Sequence, residues 1–193
     1  MRRIPKHRVV PAAIAAVILS LQTVAFSQSR VPTTSTFISK ADIQAVLRYT
    51  GSEGAATDRQ MKVVGMGNYN VAVGVLHRGP TTPATVASGI GHSQVTEIYY
   101  VMSGSGTFIS GVRVANRREQ PADGEIVRIA VGPSFTGSFE GGETRQISAG
   151  DVVIIPAGVM HGFTEIKEEI TYLSMRTDND RVLPAGYVHP TLR

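Results

Sequence analysis

The feature that most constrains the fold is a series of short segments, from Gln60 to Arg176, that are rich in β-branched and aromatic residues. Almost every boundary between them carries Gly, Pro, Asn or Asp, which favour turns. No helical patterns alternate with these segments, which argues against a parallel α/β sheet. The sequence therefore predicts an all-β sandwich or barrel. The predicted strands are MKVVG and NVAVGVLHR, joined as a hairpin at a Gly-Asn turn, then ATVASGIGH, EIYYVM, GTFISG, EIVRIAV, DVVIIP and EEITYLSMR.

The N-terminus has the pattern of a secretory signal. Four basic residues and no acid lie in the first eight positions, and an uncharged apolar run follows from Val9 to Phe26. Small residues at Ala25 and Ser27 fit cleavage before Gln28. We predict an exported protein, periplasmic or secreted, with no stable membrane association once the signal is removed. The alternative is a retained anchor, since about 18 apolar residues approach the length of a spanning helix.

The charge of the chain follows from this signal. The full sequence has 19 basic and 15 acidic residues, and removal of the four basic residues of the signal leaves 15 of each sign. A neutral mature protein gives no support to a nucleic-acid-binding surface. The chain has no cysteine, which excludes disulfides and thiolate chemistry.

The rest of the chain is long enough for one domain with a substantial core. Ser39 precedes KADIQAVLR, with Asp42 placed to complete a capping box, so a short helix is predicted there. The segment from Gly111 to Gln146 contains a polar loop pattern and a Gly- and Ser-rich stretch. The predicted organisation is a signal peptide at 1–27, a lead-in with the short helix at 28–58, a barrel at 59–178 with an insertion at 111–146, and a C-terminal tail at 179–193.

The most informative motif is GDVVIIPAGVMH, which runs from Gly150 to His161. A turn at Gly150, a buried strand and a second sharp turn at Pro156 and Gly158 would return the chain into the barrel and point His161 inward. The stretch resembles the second motif of the cupin superfamily, G-x5-P-x-G-x2-H-x3-N, with Glu165 in the place of the final Asn. The resemblance implies a double-stranded β-helix of the jelly-roll type, which often forms a homodimer through its outer strands.

The first cupin motif, G-x5-H-x-H-x3or4-E-x6-G, is matched in part. Glu97 and Gly104 have the spacing of its final Glu and Gly, and His92 suits its second His. In an alternative register His92 matches the first His and Gln94 the second. One expected imidazole is absent in either register.

The resemblance implies that the barrel holds one divalent metal ion through His92, Glu97 and His161. Two imidazoles and one carboxylate suit Fe, Mn, Ni, Co or Zn and leave positions on the ion for other ligands. Gln94 would share a strand face with His92, so its amide oxygen is a candidate fourth ligand. The alternative is a barrel that has lost its metal, although an inward carboxylate without a cation would be costly.

Three further residues are candidates for catalytic or substrate contacts. His77 ends a predicted strand on the face of its alternating valines, Tyr99 shares the face of Glu97 by parity, and Glu165 replaces the motif Asn. The alternatives are a strand-end histidine for His77 and a core aromatic for Tyr99. We expect His189, in the tail, to lie on the surface or at a subunit interface.

Cupins include oxygenases, isomerases, decarboxylases and binding proteins, so the fold does not give the function. The leading hypothesis is a metal-dependent oxidoreductase, similar to a dioxygenase, that acts on a small organic molecule. The second is a non-catalytic exported cupin that binds a small molecule or the metal, because no general acid or base beyond the ligands is evident.

Overall fold

The computed structural model describes residues 31–49, 56–83 and 87–193. Within these residues the chain forms one helix and ten strands, together with a short helical turn at Ile126–Val131 and a final 3₁₀ turn at Pro190–Leu192. The elements are α1 (Lys40–Arg48), β1 (Ala56–Gly65), β2 (Asn70–Arg78), β3 (Ser88–His92), β4 (Val95–Gly111), β5 (Val114–Glu119), β6 (Ser134–Phe139), β7 (Glu143–Ser148), β8 (Val152–Ile155), β9 (Met160–Glu165) and β10 (Ile170–Asp178).

The strands form two antiparallel sheets that share β4. One sheet has the order β1-β2-β10-β4-β8, and the other has the order β7-β4-β9-β3-β6-β5. The inner faces of both sheets contribute to one apolar core that includes Leu76, Tyr99, Phe108, Ile147 and Tyr172. The predicted fold, an all-β double-stranded β-helix with a short N-terminal helix, is confirmed.

The long strand β4 corrects one prediction. The sequence indicated two strands, EIYYVM and GTFISG, whereas the chain continues through Gly104 as a single strand of 17 residues. Gly104 has φ +75°, and its pairing with β10 shifts register next to it. This bend directs the first half of β4 into one sheet and the second half into the other, which a glycine permits at little cost.

The N-terminal helix closes one outer face of the barrel. Ser39 accepts from the backbone of Asp42, and Asp42 accepts from the backbone of Ser39, so the predicted capping box is present. Val46 of the helix packs with Met61 and Val75. The predicted hairpin is also present, as β1 and β2.

The prediction for His189, in the tail, is wrong. His189 is 3% exposed, its N–H donates to the carbonyl of Met61, and its ring meets Tyr49 edge to face. It is therefore a buried packing residue. Its neighbours along the chain gave no signal of this, because Tyr49 and Met61 are distant in sequence.

The segment 111–146 is mostly ordered secondary structure. It supplies β5 and β6, which pair antiparallel at the edge of the second sheet, and most of β7. The stretch EIVRIAV was predicted to be a strand and is instead helical. The N–H groups of Val127 and Arg128 bond the carbonyl of Gly124, and Val127, Ala130 and Val131 are buried. Tertiary burial here outweighs the strand preference of Ile and Val.

The predicted signal peptide lies outside the described residues. Within the described part of the chain, no helix has both the length and the apolar character needed to cross a bilayer.

The bend at Gly104 generates a stability prediction. In Gly104→Ala the new methyl group would collide with the Glu169 carbonyl oxygen, and the positive φ adds strain. Gly150→Ala is the matched control, because Gly150 has φ +96° but no atom within 4 Å of the added carbon. We expect a loss of about 1 kcal/mol for Gly150→Ala and about 2–4 kcal/mol for Gly104→Ala, measured by urea unfolding. Equal losses would contradict the account of the bend.

Candidate metal centre

Three side chains from different strands meet inside the barrel. His92 ends β3, Glu97 lies near the start of β4 and His161 lies near the start of β9. The Nε2 atom of each imidazole is 3.1 Å from the same Glu97 oxygen, Oε2. The exposed fractions are 4% for His92, 1% for Glu97 and 3% for His161. The three could hold a metal ion, since their ligand atoms all lie within 4.8 Å of one another.

The turn before His161 explains how the motif delivers its imidazole. The N–H of Val159 bonds the carbonyl of Pro156, which closes the turn, and Gly158 adopts φ +83°. The Gly158 N–H donates to the carbonyl of His92 at 2.7 Å. This bond ties the segment that carries one histidine to the strand that carries the other.

The hydrogen bonds of the two imidazoles fix their tautomers. His161 Nδ1 lies 3.2 Å from the carbonyl of Val159, which can only accept, so this nitrogen carries a proton. His92 Nδ1 lies 2.8 Å from the hydroxyl of Ser134, which itself donates to the carbonyl of Gly132. Ser134 must therefore accept from His92. In neutral imidazoles, both Nε2 atoms then present lone pairs to Glu97 Oε2.

This arrangement is suited to a cation. Two neutral nitrogen lone pairs and a carboxylate oxygen repel one another unless a positive charge lies among them. Imidazoles that bind metals commonly donate their second ring N–H to a carbonyl or another acceptor, as His92 and His161 do. Nitrogen and oxygen donors with no thiolate suit Fe, Mn, Co, Ni or Zn.

The other Glu97 oxygen is held by β10. Oε1 accepts from the Ser174 hydroxyl at 2.7 Å and from Arg176 Nε at 2.9 Å, while the Tyr99 hydroxyl donates to Oε2 at 3.1 Å. Burial alone would raise the pKa of Glu97, but the positive charges of His92, when it is protonated, and of Arg176 hold that pKa well below its usual value. Glu97 is therefore a carboxylate at neutral pH.

Arg176 is the largest fully buried side chain of the described residues. Besides Glu97 it bonds both carboxylate oxygens of Asp58, at 3.0 and 3.3 Å, the Gln60 amide oxygen at 2.6 Å and the carbonyl of Ala130 at 3.0 Å. The carbonyl comes from the helical turn of the 111–146 segment. All three guanidinium nitrogens are thus bonded.

The sequence did not predict that Ser174 and Arg176 would hold Glu97 in place. Ser174 and Arg176 lie two and four residues after Tyr172 on β10, so they share the inward face with this core residue. An arginine on that face was the available signal, because a buried guanidinium requires carboxylate partners. Which strand would pair with β10 was not evident from the sequence.

A cavity of about 410 Å³ borders the cluster. Tyr99 and His161 form part of its wall, so a molecule in the cavity would lie next to the candidate metal ligands. The lining residues are Arg78, Thr81, Ser88, Gly89, Ile90, Tyr99, Thr136, His161, Gly162, Phe163, Ile166 and Tyr172.

The structure does not bring Gln94 to the cluster. The backbone turns after His92, where the Ser93 N–H bonds the carbonyl of Pro133, so Gln94 is not on a strand with His92. Its amide instead donates to Asp180 at 3.1 Å. The expectation of a fourth ligand at Gln94 is therefore corrected.

Of the other candidates, only Tyr99 lies at the cluster. His77 faces the opposite side of its sheet, where Nδ1 lies 3.0 Å from the Thr171 hydroxyl, and the neighbouring Arg78 faces the cavity instead. Glu165 follows an irregularity in the pairing of β9 with β4, after which Ile166 takes the inward position. Neither His77 nor Glu165 lines the cavity, which corrects both expectations.

The buried titratable groups predict a loss of stability in acid. Burial lowers the pKa of His92 below its usual 6.5, and the pKa of Glu97 lies well below 4.5. Below each usual value the unfolded chain binds a proton that the folded chain does not, so the free energy of unfolding falls as the pH falls. The slope approaches about 1.4 kcal/mol per pH unit for each proton.

Urea unfolding of metal-free protein between pH 8 and 4 tests this. Between about pH 6.5 and 5, we expect the free energy of unfolding to fall less steeply with falling pH in His92→Gln than in the wild type. In the control His77→Gln it should fall more steeply than in His92→Gln. Identical slopes in the wild type and His92→Gln would contradict the assignment.

No protein-family model matches the chain, and no curated protein matches it. Among solved structures, a Bacillus halodurans protein is 14% identical, with 82% of this chain and 92% of that chain aligned at a TM-score of 0.45. A Klebsiella pneumoniae protein with a double-stranded β-helix domain is 16% identical, with 76% and 93% aligned at 0.42. An oxalate oxidase is 18% identical, with 67% and 54% aligned at 0.40. At these low scores the fold class rests on the strand order of the chain itself.

Proposed function

We propose that the protein is a metal-dependent oxidoreductase, similar to an oxygenase, that acts on a small organic molecule. The observation that carries the proposal is the pair of imidazoles whose Nδ1–H groups are already bonded and whose Nε2 atoms both face Glu97 Oε2 at 3.1 Å. A divalent ion among these three atoms would satisfy all of them.

Charge supports an ion over protonated histidines. Arg176 lies between Asp58 and Glu97, so these three groups carry a net charge of −1. One imidazolium ion would also balance that charge, but burial lowers the pKa of His92 and so disfavours its charged form. A bound metal ion would supply positive charge without any protonated histidine.

Each supporting residue has a definable task at such a centre. Ser134 and the Val159 carbonyl hold the two imidazole planes, and Ser174 and Arg176 hold Oε1 so that Oε2 remains directed at the histidines. A bound redox-active ion would supply electron transfer and Lewis acidity. The apolar cavity wall around Phe163 and Ile166 would limit water near the reacting molecule.

The composition of the cavity favours oxidation over acid–base chemistry. Among its lining residues, the titratable side chains besides His161 are Arg78, Tyr99 and Tyr172. Burial raises the pKa of both phenols, so neither is a good proton acceptor near neutral pH. The same observation favours the second candidate, a non-catalytic protein that binds a small molecule or a metal.

Metal titration tests the proposed centre directly. Metal-free wild-type protein should bind about one equivalent of Fe(II), Mn(II) or another first-row ion, followed by calorimetry and elemental analysis. Removing a ligand should weaken affinity at least about a hundredfold in His161→Ala and His92→Ala, since one of three protein donors is lost. His77→Ala is the matched control and should bind like the wild type. Unchanged metal binding in both ligand variants would contradict the assignment of the metal centre.

Oxygen consumption separates the two candidates. Protein reconstituted with Fe(II), and in parallel with Mn(II), Co(II), Ni(II) and Zn(II), would be mixed with a panel of phenols, diketones and organic acids in an oxygen electrode. We expect uptake of O2 in step with substrate loss, absent in His161→Ala and retained in His77→Ala. Tight binding of metal and ligand without any O2 uptake would favour the binding protein instead.

A further inference from the structure

Arg78 is the one cationic side chain that lines the cavity of the described residues. It ends β2, is half-buried, and donates from Nε to the Tyr172 hydroxyl at 3.1 Å. His161 and Tyr99 lie on the wall of the same cavity. The guanidinium and the candidate metal ligands therefore face one common space.

No carboxylate pairs with Arg78 among the residues that the structure describes. The cavity wall contains no Asp or Glu. Asp58 is bonded through both oxygens to Arg176. Arg78 thus keeps a full positive charge, and its two terminal nitrogens have no protein acceptor in the described chain.

Arg176 differs from Arg78 because its guanidinium is fully bonded within the protein. All its nitrogens are bonded, and it forms ion pairs with two carboxylates. Arg78 has one neutral phenol as its partner. A buried or half-buried charge without a counter-ion is costly, so a purely structural role explains Arg78 poorly.

The residues around Arg78 add a second hydrogen-bond donor and an apolar wall to the cavity. Tyr172 accepts from Arg78, and burial raises the pKa of its phenol, so the hydroxyl keeps a proton that it can donate. Ile90, Phe163 and Ile166 form an apolar wall in the same cavity. A volume of about 410 Å³ is in the range of small-molecule sites.

We propose that Arg78 and Tyr172 bind the carboxylate of a small organic acid with an apolar body. The fork of the guanidinium matches two carboxylate oxygens, the phenol adds a third donor, and the body packs against Phe163 and Ile90. Arg78 is then the residue that selects anionic over neutral molecules. The inference rests on the proposed function only in taking this cavity to be the substrate site.

Binding to metal-free protein tests the inference without turnover. The probes are benzoate and phenylacetate, each compared with its neutral amide, benzamide and phenylacetamide, in ligand-observed NMR with a chelator present. We expect the acids to bind about tenfold or more tightly than the amides, as charged hydrogen bonds to a guanidinium imply. Arg78→Met should lose that preference, and Arg145→Met, which removes an exposed arginine on β7, should keep it.

A second variant guards against a folding defect. Arg78→Lys keeps the charge but lacks the fork, so it should retain binding of benzoate and lose about half or more of the preference measured as a free energy. Equal affinity for acid and amide in the wild type, no detectable binding of either acid, or a preference unchanged in Arg78→Met would overturn the proposal.

The results also separate this inference from the proposed function. If the acids bind through Arg78 but no metal is retained, the carboxylate site stands and the metal-dependent activity does not. If metal binds and O2 is consumed while Arg78→Met keeps its preference for acids, the assignment of Arg78 is wrong and the proposed function stands.

Discussion

The carboxylate of Glu97 is the group on which the rest of the site depends. It is 1% exposed, and an ionised group at that depth is tolerated only with charged and hydrogen-bonding partners. Its two oxygens have separate environments. Oε1 is bonded by Ser174 and Arg176, whereas Oε2 faces two histidines and the Tyr99 hydroxyl. One oxygen is therefore held by the scaffold, and the other faces the two histidines of the candidate metal centre.

The partners of Glu97 link parts of the chain that are far apart in sequence. Arg176 lies opposite Glu97 in the pairing of β10 with β4, and its guanidinium reaches Asp58 of β1 and the carbonyl of Ala130. The helical turn at Ile126–Val131 is consequently attached to the site by a charged hydrogen bond. The 111–146 segment supports the candidate metal centre from behind, and it contributes Thr136 to the wall of the cavity.

The sequence predicted the fold class and the three residues of the cluster because both depend on local patterns. Strands alternate with turn residues along the chain, and the Pro156 to His161 turn is specified within six positions. The predictions for EIVRIAV and His189 were wrong, and the supporting role of Arg176 was not predicted, since each depends on contacts with distant segments. The prediction for Gln94 was wrong for a similar reason, because β3 ends at His92, two residues before the position that alternation would require it to reach.

The two inward arginines of this barrel differ in how their charges are compensated. Arg176 is compensated within the protein by Asp58 and Glu97, and it holds one ligand oxygen in place. Arg78 is bonded to a neutral phenol and faces an apolar cavity that is next to the histidine cluster. A protein that only needed to fold would gain nothing from a charge left in this position. The cost is understandable if an anion from solution provides the missing partner beside the candidate metal centre.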